Sequence, residues 1–120
     1  MAKTILVVDD SPTDLHLMTS MLDGKGYSII TAIDGEGAME KTAKNHPDLI
    51  LLDVVLPQKN GFQICRELKT SPNTKNIKIV LVTGKSQETD RLWGMKQGAD
   101  AYITKPFKKE ELLDTVSKFI

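Results

Sequence analysis

Short apolar runs recur along the chain, each followed by a stretch long enough for one helix. Ile5–Val8, Tyr27–Ala32, Leu49–Leu52, Ile77–Val82 and Ala101–Thr104 read as strands. Three of them are nearly unbroken β-branched or leucine runs, the pattern of strands buried on both faces. The segments between them carry helical spacing. In the first, Ser11 is placed to cap, Pro12 suits the first helical position, and Asp14 sits where an acid favours the N-terminal dipole. Leu15, Met18 and Leu22 follow as an apolar stripe, widened by Leu17 and Met21, and Gly24 and Gly26 stop it. Further helices are expected over about Gly35–Asn45, Gly61–Thr70, Gln87–Gln97 and Lys108–Phe119, the last burying Leu112, Leu113, Val116 and Phe119. Five strands alternating with five helices define an α/β domain with a parallel sheet. Right-handed crossovers then put helices on both faces. The 120 residues suit one domain over 1–120.

In open parallel sheets, ligands bind beyond the carboxyl ends of the strands. The residues there are polar. Asp9 and Asp10 follow the first strand, Asp53 the third, Thr83 the fourth, and Lys105-Pro106 the fifth. The other rim carries loop residues such as Asn45, His46, Pro47, Asn73 and Asn76. Converging carboxylates repel: one like-charge pair at 4 Å costs about 4 kcal/mol at an effective dielectric of 20. Lys105 supplies one compensating charge. A hard divalent cation would supply two more, and magnesium takes one or two carboxylates with waters and phosphate oxygens.

This set, together with Pro57 and Gly61 after Asp53, resembles the receiver domains of bacterial two-component response regulators over essentially the whole chain. The resemblance implies a flavodoxin-like sheet of order 2-1-3-4-5. It also implies an aspartyl-phosphate on Asp53, formed from a phosphohistidine on a sensor histidine kinase. By the same resemblance, Asp10 and Asp53 bind Mg2+ directly, with Mn2+ as a substitute. The Val55 backbone carbonyl completes the protein's share, and Asp9 acts through water. Lys105 and Thr83 contact the phosphoryl oxygens, Tyr102 is the aromatic switch residue, and Pro106 is a candidate cis proline. The output surface that the resemblance implies is the fourth helix, fifth strand and fifth helix, including Lys85, Trp93, Tyr102, Lys108 and Lys109. Val55 and Gly84 occupy family positions that influence phosphoryl lifetime. The segment from Gln87 to Gly94, with Gln97-Gly98-Ala99, is similar to receivers of type IV pilus twitching-motility systems. Flagellar chemotaxis and a phosphate-sink role are the alternatives.

Composition narrows the classes. Sixteen basic residues balance sixteen acidic ones, so no global positive field recruits nucleic acid. No apolar run approaches the roughly 20 residues of a membrane span. The single cysteine, Cys65, permits no internal disulfide, so a reducing cytoplasm is the expected home; a monomer is expected as well. No output domain is expected after Ile120, so the output is expected to be a partner protein, with a phosphatase as a further partner. Cys65 reads as a semi-buried helix residue, His16 and His46 as surface helix residues, and the methionines as helix-face packing. Trp93 is either core or a docking anchor. Haloacid-dehalogenase-like phosphatases share the Asp, Thr, Lys and magnesium, but need Asp-x-Asp where this chain has Asp53-Val54-Val55. A phosphorylation-independent interaction module would be expected to have lost the acids. A flavin-binding reading lacks a phosphate-cradling loop after the first strand.

Overall fold

The computed structural model describes residues 2–120. The elements run β1 (Thr4–Val8), α1 (Pro12–Leu22), β2 (Ser28–Ala32), α2 (Gly35–Asn45), β3 (Leu49–Leu52), α3 (Gly61–Thr70), β4 (Lys78–Thr83), α4 (Glu88–Lys96), β5 (Ala101–Thr104) and α5 (Lys109–Phe119). All strand pairs are parallel and the order is β2-β1-β3-β4-β5. The expected α/β class, strand order and helix number are those observed. Tyr27 and Ile77, read as first residues of strands, lie one position before them.

Period-two alternation divides each central strand between two cores. Ile5, Val7, Leu49, Leu51, Val80 and Val82 face α1 and α5, where Met18, Leu22, Leu112 and Val116 cover them. Leu6, Val8, Ile50, Leu52, Ile79 and Leu81 face the opposite layer, with Ala38 of α2 and Phe62, Ile64, Cys65 and Leu68 of α3. β1, β3 and β4 are therefore apolar on both faces, as their unbroken runs require. Each fully buried Leu, Ile or Val contributes about 1.5–3 kcal/mol relative to exposure.

Local caps set where the helices begin. Ser11 Oγ accepts from the Asp14 N–H, Asp34 caps α2 through Gly37, and Asn60 caps α3 through Gln63. Gly61 comes so close to β3 that a Cβ there would collide with the Asp53 carbonyl oxygen, and its N–H donates to Val54 O at 2.8 Å. A side chain at that position would push α3 away from the end of β3.

Gln87, Gln97 and Lys108, read as helical, cap α4 and α5 from outside, and individual residues depart from the reading of the sequence in other ways. Leu17 is 46% exposed, because the buried stripe of α1 is narrower than its apolar content. Cys65 is fully buried rather than semi-buried, since α3 packs its whole inner face on the sheet. His46 is exposed but caps α2 in a left-handed conformation instead of lying within it. Met95 is 44% exposed, whereas Met18 is buried and Met21 and Met39 pack partly against the cores. Met1 lies outside the described residues. Trp93 is half exposed and is not core.

Candidate functional site

The carboxyl ends of β1 and β3 lie side by side because Val8 pairs with Leu52. The Asp53 N–H then donates to Val8 O at 3.0 Å, and the Asp9 N–H donates to Ala32 O at 3.2 Å. Each acid is thus fixed by the sheet ladder. Carboxylate oxygens of Asp9, Asp10 and Asp53 come within 4.8 Å of one another. Asp9 is buried, Asp53 is 6% exposed, and Asp10 faces solvent.

Lys105 reaches this cluster from β5, its own N–H donating to Thr83 O at 2.9 Å. Its Nζ donates to Asp9 Oδ2 at 2.7 Å, Asp14 Oδ2 at 2.9 Å and Asp53 Oδ2 at 3.2 Å. The remaining oxygens are also engaged. Asp9 Oδ1 accepts from the Ser11 N–H at 2.9 Å, and Asp53 Oδ1 from the Val55 N–H at 3.2 Å. Burial pushes the Asp9 carboxyl above its ordinary range, opposed by the bond from Lys105 and the Ser11 amide. Burial disfavours the Lys105 ammonium too, but its hydrogen bonds to Asp9 and Asp14 and the charges of Asp53 and Asp9 outweigh it, so its pKa rises.

Thr83, fully buried, ends β4 with its Oγ1 accepting from the Lys85 N–H at 3.4 Å. Tyr102, paired with Leu81 across β4 and β5, is 6% exposed, and its hydroxyl donates to Lys85 O at 2.7 Å. The Arg91 guanidinium lies 5.2 Å from the centre of its ring. The absence of a side chain on Gly94 admits the ring: a Cβ there would sit 2.7 Å from Leu81 Cδ1 and 3.0 Å from Tyr102 Cδ2. The Lys105–Pro106 peptide is cis. Val55 is 58% exposed at the mouth, and Gly84 has open space around it.

The structure therefore brings together Asp9, Asp10, Asp53 and Lys105, and sets Thr83 and Tyr102 on the adjoining strands. It adds Asp14. Capping accounts for an acid three residues after Ser11, and that explanation hid its second contact. A signal was available, since a helix starting directly at the acidic rim presents its first turn to the same lysine.

Three carboxylates held at a sheet switch point by one lysine, with a hydroxyl on the next strand, form an acidic pocket suited to a cation and an oxyanion together. The protein is a receiver of the response-regulator class. The chain belongs to the response regulator receiver domain family, which it matches over residues 5–117. It is 42% identical to Protein PilH of Pseudomonas aeruginosa over 94% of this chain and 93% of PilH. It superposes on the chemotaxis response regulator CheY4 of Vibrio cholerae with a TM-score of 0.92 and 29% identity, covering 100% of both chains. The receiver domain of a Pseudomonas aeruginosa PAO1 sensor histidine kinase, solved with magnesium in its active-site cleft, gives 0.89 and 28% identity over 99% of this chain and 98% of that one. Among the described residues, no helix is long and apolar enough to cross a membrane.

Proposed function

We propose that the protein is a response regulator that accepts a phosphoryl group on Asp53 from a sensor histidine kinase and relays that state to a partner protein. One observation carries this: the Asp53 carboxylate stands at the end of β3 with Lys105 at 3.2 Å and two further acids beside it. An Asp53 oxygen attacks the phosphorus of a phosphohistidine. A P–O bond forms, the P–N bond breaks, and its electron pair stays on the imidazole nitrogen. A carboxylate needs no base for this attack, so positioning and charge neutralisation do the catalysis.

The acid cluster fits a magnesium or manganese ion in donor type and spacing. Asp10 and Asp53 would hold it directly, with the Val55 carbonyl and, through water, Asp9. When bound, the ion neutralises charge on the phosphoryl oxygens. The magnesium in the cleft of the kinase receiver supports this assignment. Lys105 holds a phosphoryl oxygen as a point charge, and the Thr83 hydroxyl donates to another.

Charge-assisted hydrogen bonds of this kind contribute about 1.5–3 kcal/mol each. Moving a two-state equilibrium from 1:99 to 99:1 takes about 5.5 kcal/mol. Thr83 and Lys105 together supply most of that, and neither suffices alone. Tyr102 reports the change to the surface of α4, β5 and α5, where Leu92 and Met95 are exposed. The match to nearly all of PilH supports a role in motility signalling, with the receiver promoting both its own labelling and its own discharge.

The test is labelling by acetyl phosphate with Mg2+, read by intact-protein mass spectrometry. One phosphoryl group per chain is expected, with none on Asp53→Asn. Steady turnover of a generic phosphomonoester would point instead to a phosphatase.

A further inference from the structure

We propose that Asp14 is a positioning residue that withholds Lys105 from an incoming phosphoryl group and makes the loaded site one charge more negative. The proposal rests on the phosphoacceptor reading of Asp53. An ammonium has three N–H donors, and here all three have carboxylate acceptors. A phosphoryl oxygen reaches Lys105 only by displacing one of them. Asp9 is fully buried, so giving up the bond leaves a desolvated carboxylate oxygen, whereas the Asp14 side chain is 39% exposed and rehydrates on release. The third partner, Asp53 at 3.2 Å, is the phosphoacceptor itself, so its contact is not one that an outside group has to replace. Asp14 is therefore the exchangeable partner.

Its helical role does not explain this contact. The capping bond at the start of α1 uses the Asp14 backbone N–H, and the carboxylate is left to point at Lys105 from the first turn.

Charge counting gives the direction. With a divalent cation among Asp9, Asp10 and Asp53, the positive charges of ion and lysine number three, against four carboxylates once Asp14 is included. Without Asp14 they balance. The Asp14 and Asp53 oxygens each lie within hydrogen-bond reach of one Nζ, so they are at most about 6 Å apart. One unit charge at that range changes a divalent ion's affinity by about tenfold in bulk water and by about ten-thousandfold at an effective dielectric of 20. The partial exposure of Asp14 puts the effect at the lower end, and screening by salt brings it to about three- to tenfold. Its sign is opposite for the two ligands: Asp14 favours the cation and opposes the anionic donor.

The full chain is labelled with acetyl phosphate, which forms the P–O bond to Asp53 and expels acetate. Half-saturating donor concentration and limiting rate are measured, and Mg2+ affinity is measured separately by calorimetry without donor. Asp14→Asn is expected to lower the half-saturating donor concentration about three- to tenfold while weakening Mg2+ about threefold or more. Both effects should shrink at high salt. Asp14→Glu should restore both values. Thr13→Asp combined with Asp14→Asn returns an acid to the first turn without the lysine contact, and should behave like Asp14→Asn. Donor and metal affinities that stay put or move in the same direction overturn the proposal, as does recovery of wild-type values in the double variant. A wild-type chain that takes no label overturns the phosphoacceptor reading itself, whereas a labelled wild type with an unshifted Asp14→Asn overturns only the role of Asp14.

Discussion

Lys105→Met removes a charge while keeping most of the stem, which isolates what the ammonium does for the acid cluster. In the intact protein it bonds three carboxylates, of which Asp9 is fully buried. Without it Asp9 retains only the Ser11 N–H. Breaking one side of a buried ion pair costs about 3–5 kcal/mol. The exposure of Asp14 and partial exposure of Lys105 favour the lower end, about 3 kcal/mol.

Protonation caps the loss that comes through Asp9. Holding that carboxyl neutral at pH 7, from an ordinary value of 3.8, costs about 4.4 kcal/mol at 1.36 kcal/mol per unit, and only about 1.6 kcal/mol at pH 5. The sign follows from linkage. A carboxyl whose folded value is raised keeps its proton while the unfolded chain has released it, so stability falls as pH rises above 3.8. Removing Lys105 raises that value further and widens the window upward. Urea unfolding at pH 5 and pH 7 should therefore give a deficit of about 3 kcal/mol at pH 7 and about half of that or less at pH 5. Added Mg2+ should stabilise the variant more than the wild type, because the cation replaces the missing charge. An equal deficit at the two pH values would refute this reasoning and assign the loss to packing.

Gly94→Ala should destabilise by about 1–2 kcal/mol, the overpacking against Tyr102 and Leu81 being partly offset by better helix propensity. In a Tyr102→Ala background its cost should fall by at least half, and additivity within about 0.5 kcal/mol in that double-mutant cycle would exclude the contact. Burial pushes the Cys65 thiol from 9.0 up to about 12, so the folded chain keeps a proton that the unfolded chain releases above pH 9. Stability should accordingly drop by about 1.4 kcal/mol by pH 10 through this group alone, a decline absent from Cys65→Ala, and the native thiol should resist alkylation at pH 8 until urea unfolds the protein. Thr83→Ala should still take phosphate but lose phosphate-dependent partner binding, and an unchanged ratio of phosphorylated to unphosphorylated partner affinity would exclude Thr83 as the coupling residue.

The sheet was legible because its central strands are buried on both faces and so carry runs that helices of this size do not. Strand boundaries were less legible. Tyr27 and Ile77 are apolar and adjoin β2 and β4, but they pack against the cores from outside the ladder. Apolar content likewise overstated the inner face of α1. Leu17 and Met18 are adjacent in sequence, yet about 100° apart on the helix, and only Met18 reaches the sheet. The same limit governs Met95 on α4.

The acidic pocket was legible for a different reason. Topology gathers the residues after β1, β3, β4 and β5 on one rim whatever their separation in sequence, so reading the strand ends was enough to find Asp9, Asp10, Asp53, Thr83 and Lys105. Asp14 escaped because its position already had a sufficient local explanation. Its bond to Lys105 spans 91 residues and depends on how far α1 tilts across the end of the sheet, a property of packing against Leu112 and Val116 of α5 as well as of its own sequence. Charge balance could have recovered it. A lysine beside three known acids leaves the pocket negative even before a phosphoryl group arrives, so a further acid that reaches the lysine from the first turn of α1 alters both the binding of cation and the approach of donor. The residue that a capping rule explained completely is therefore the one whose removal should separate those two affinities.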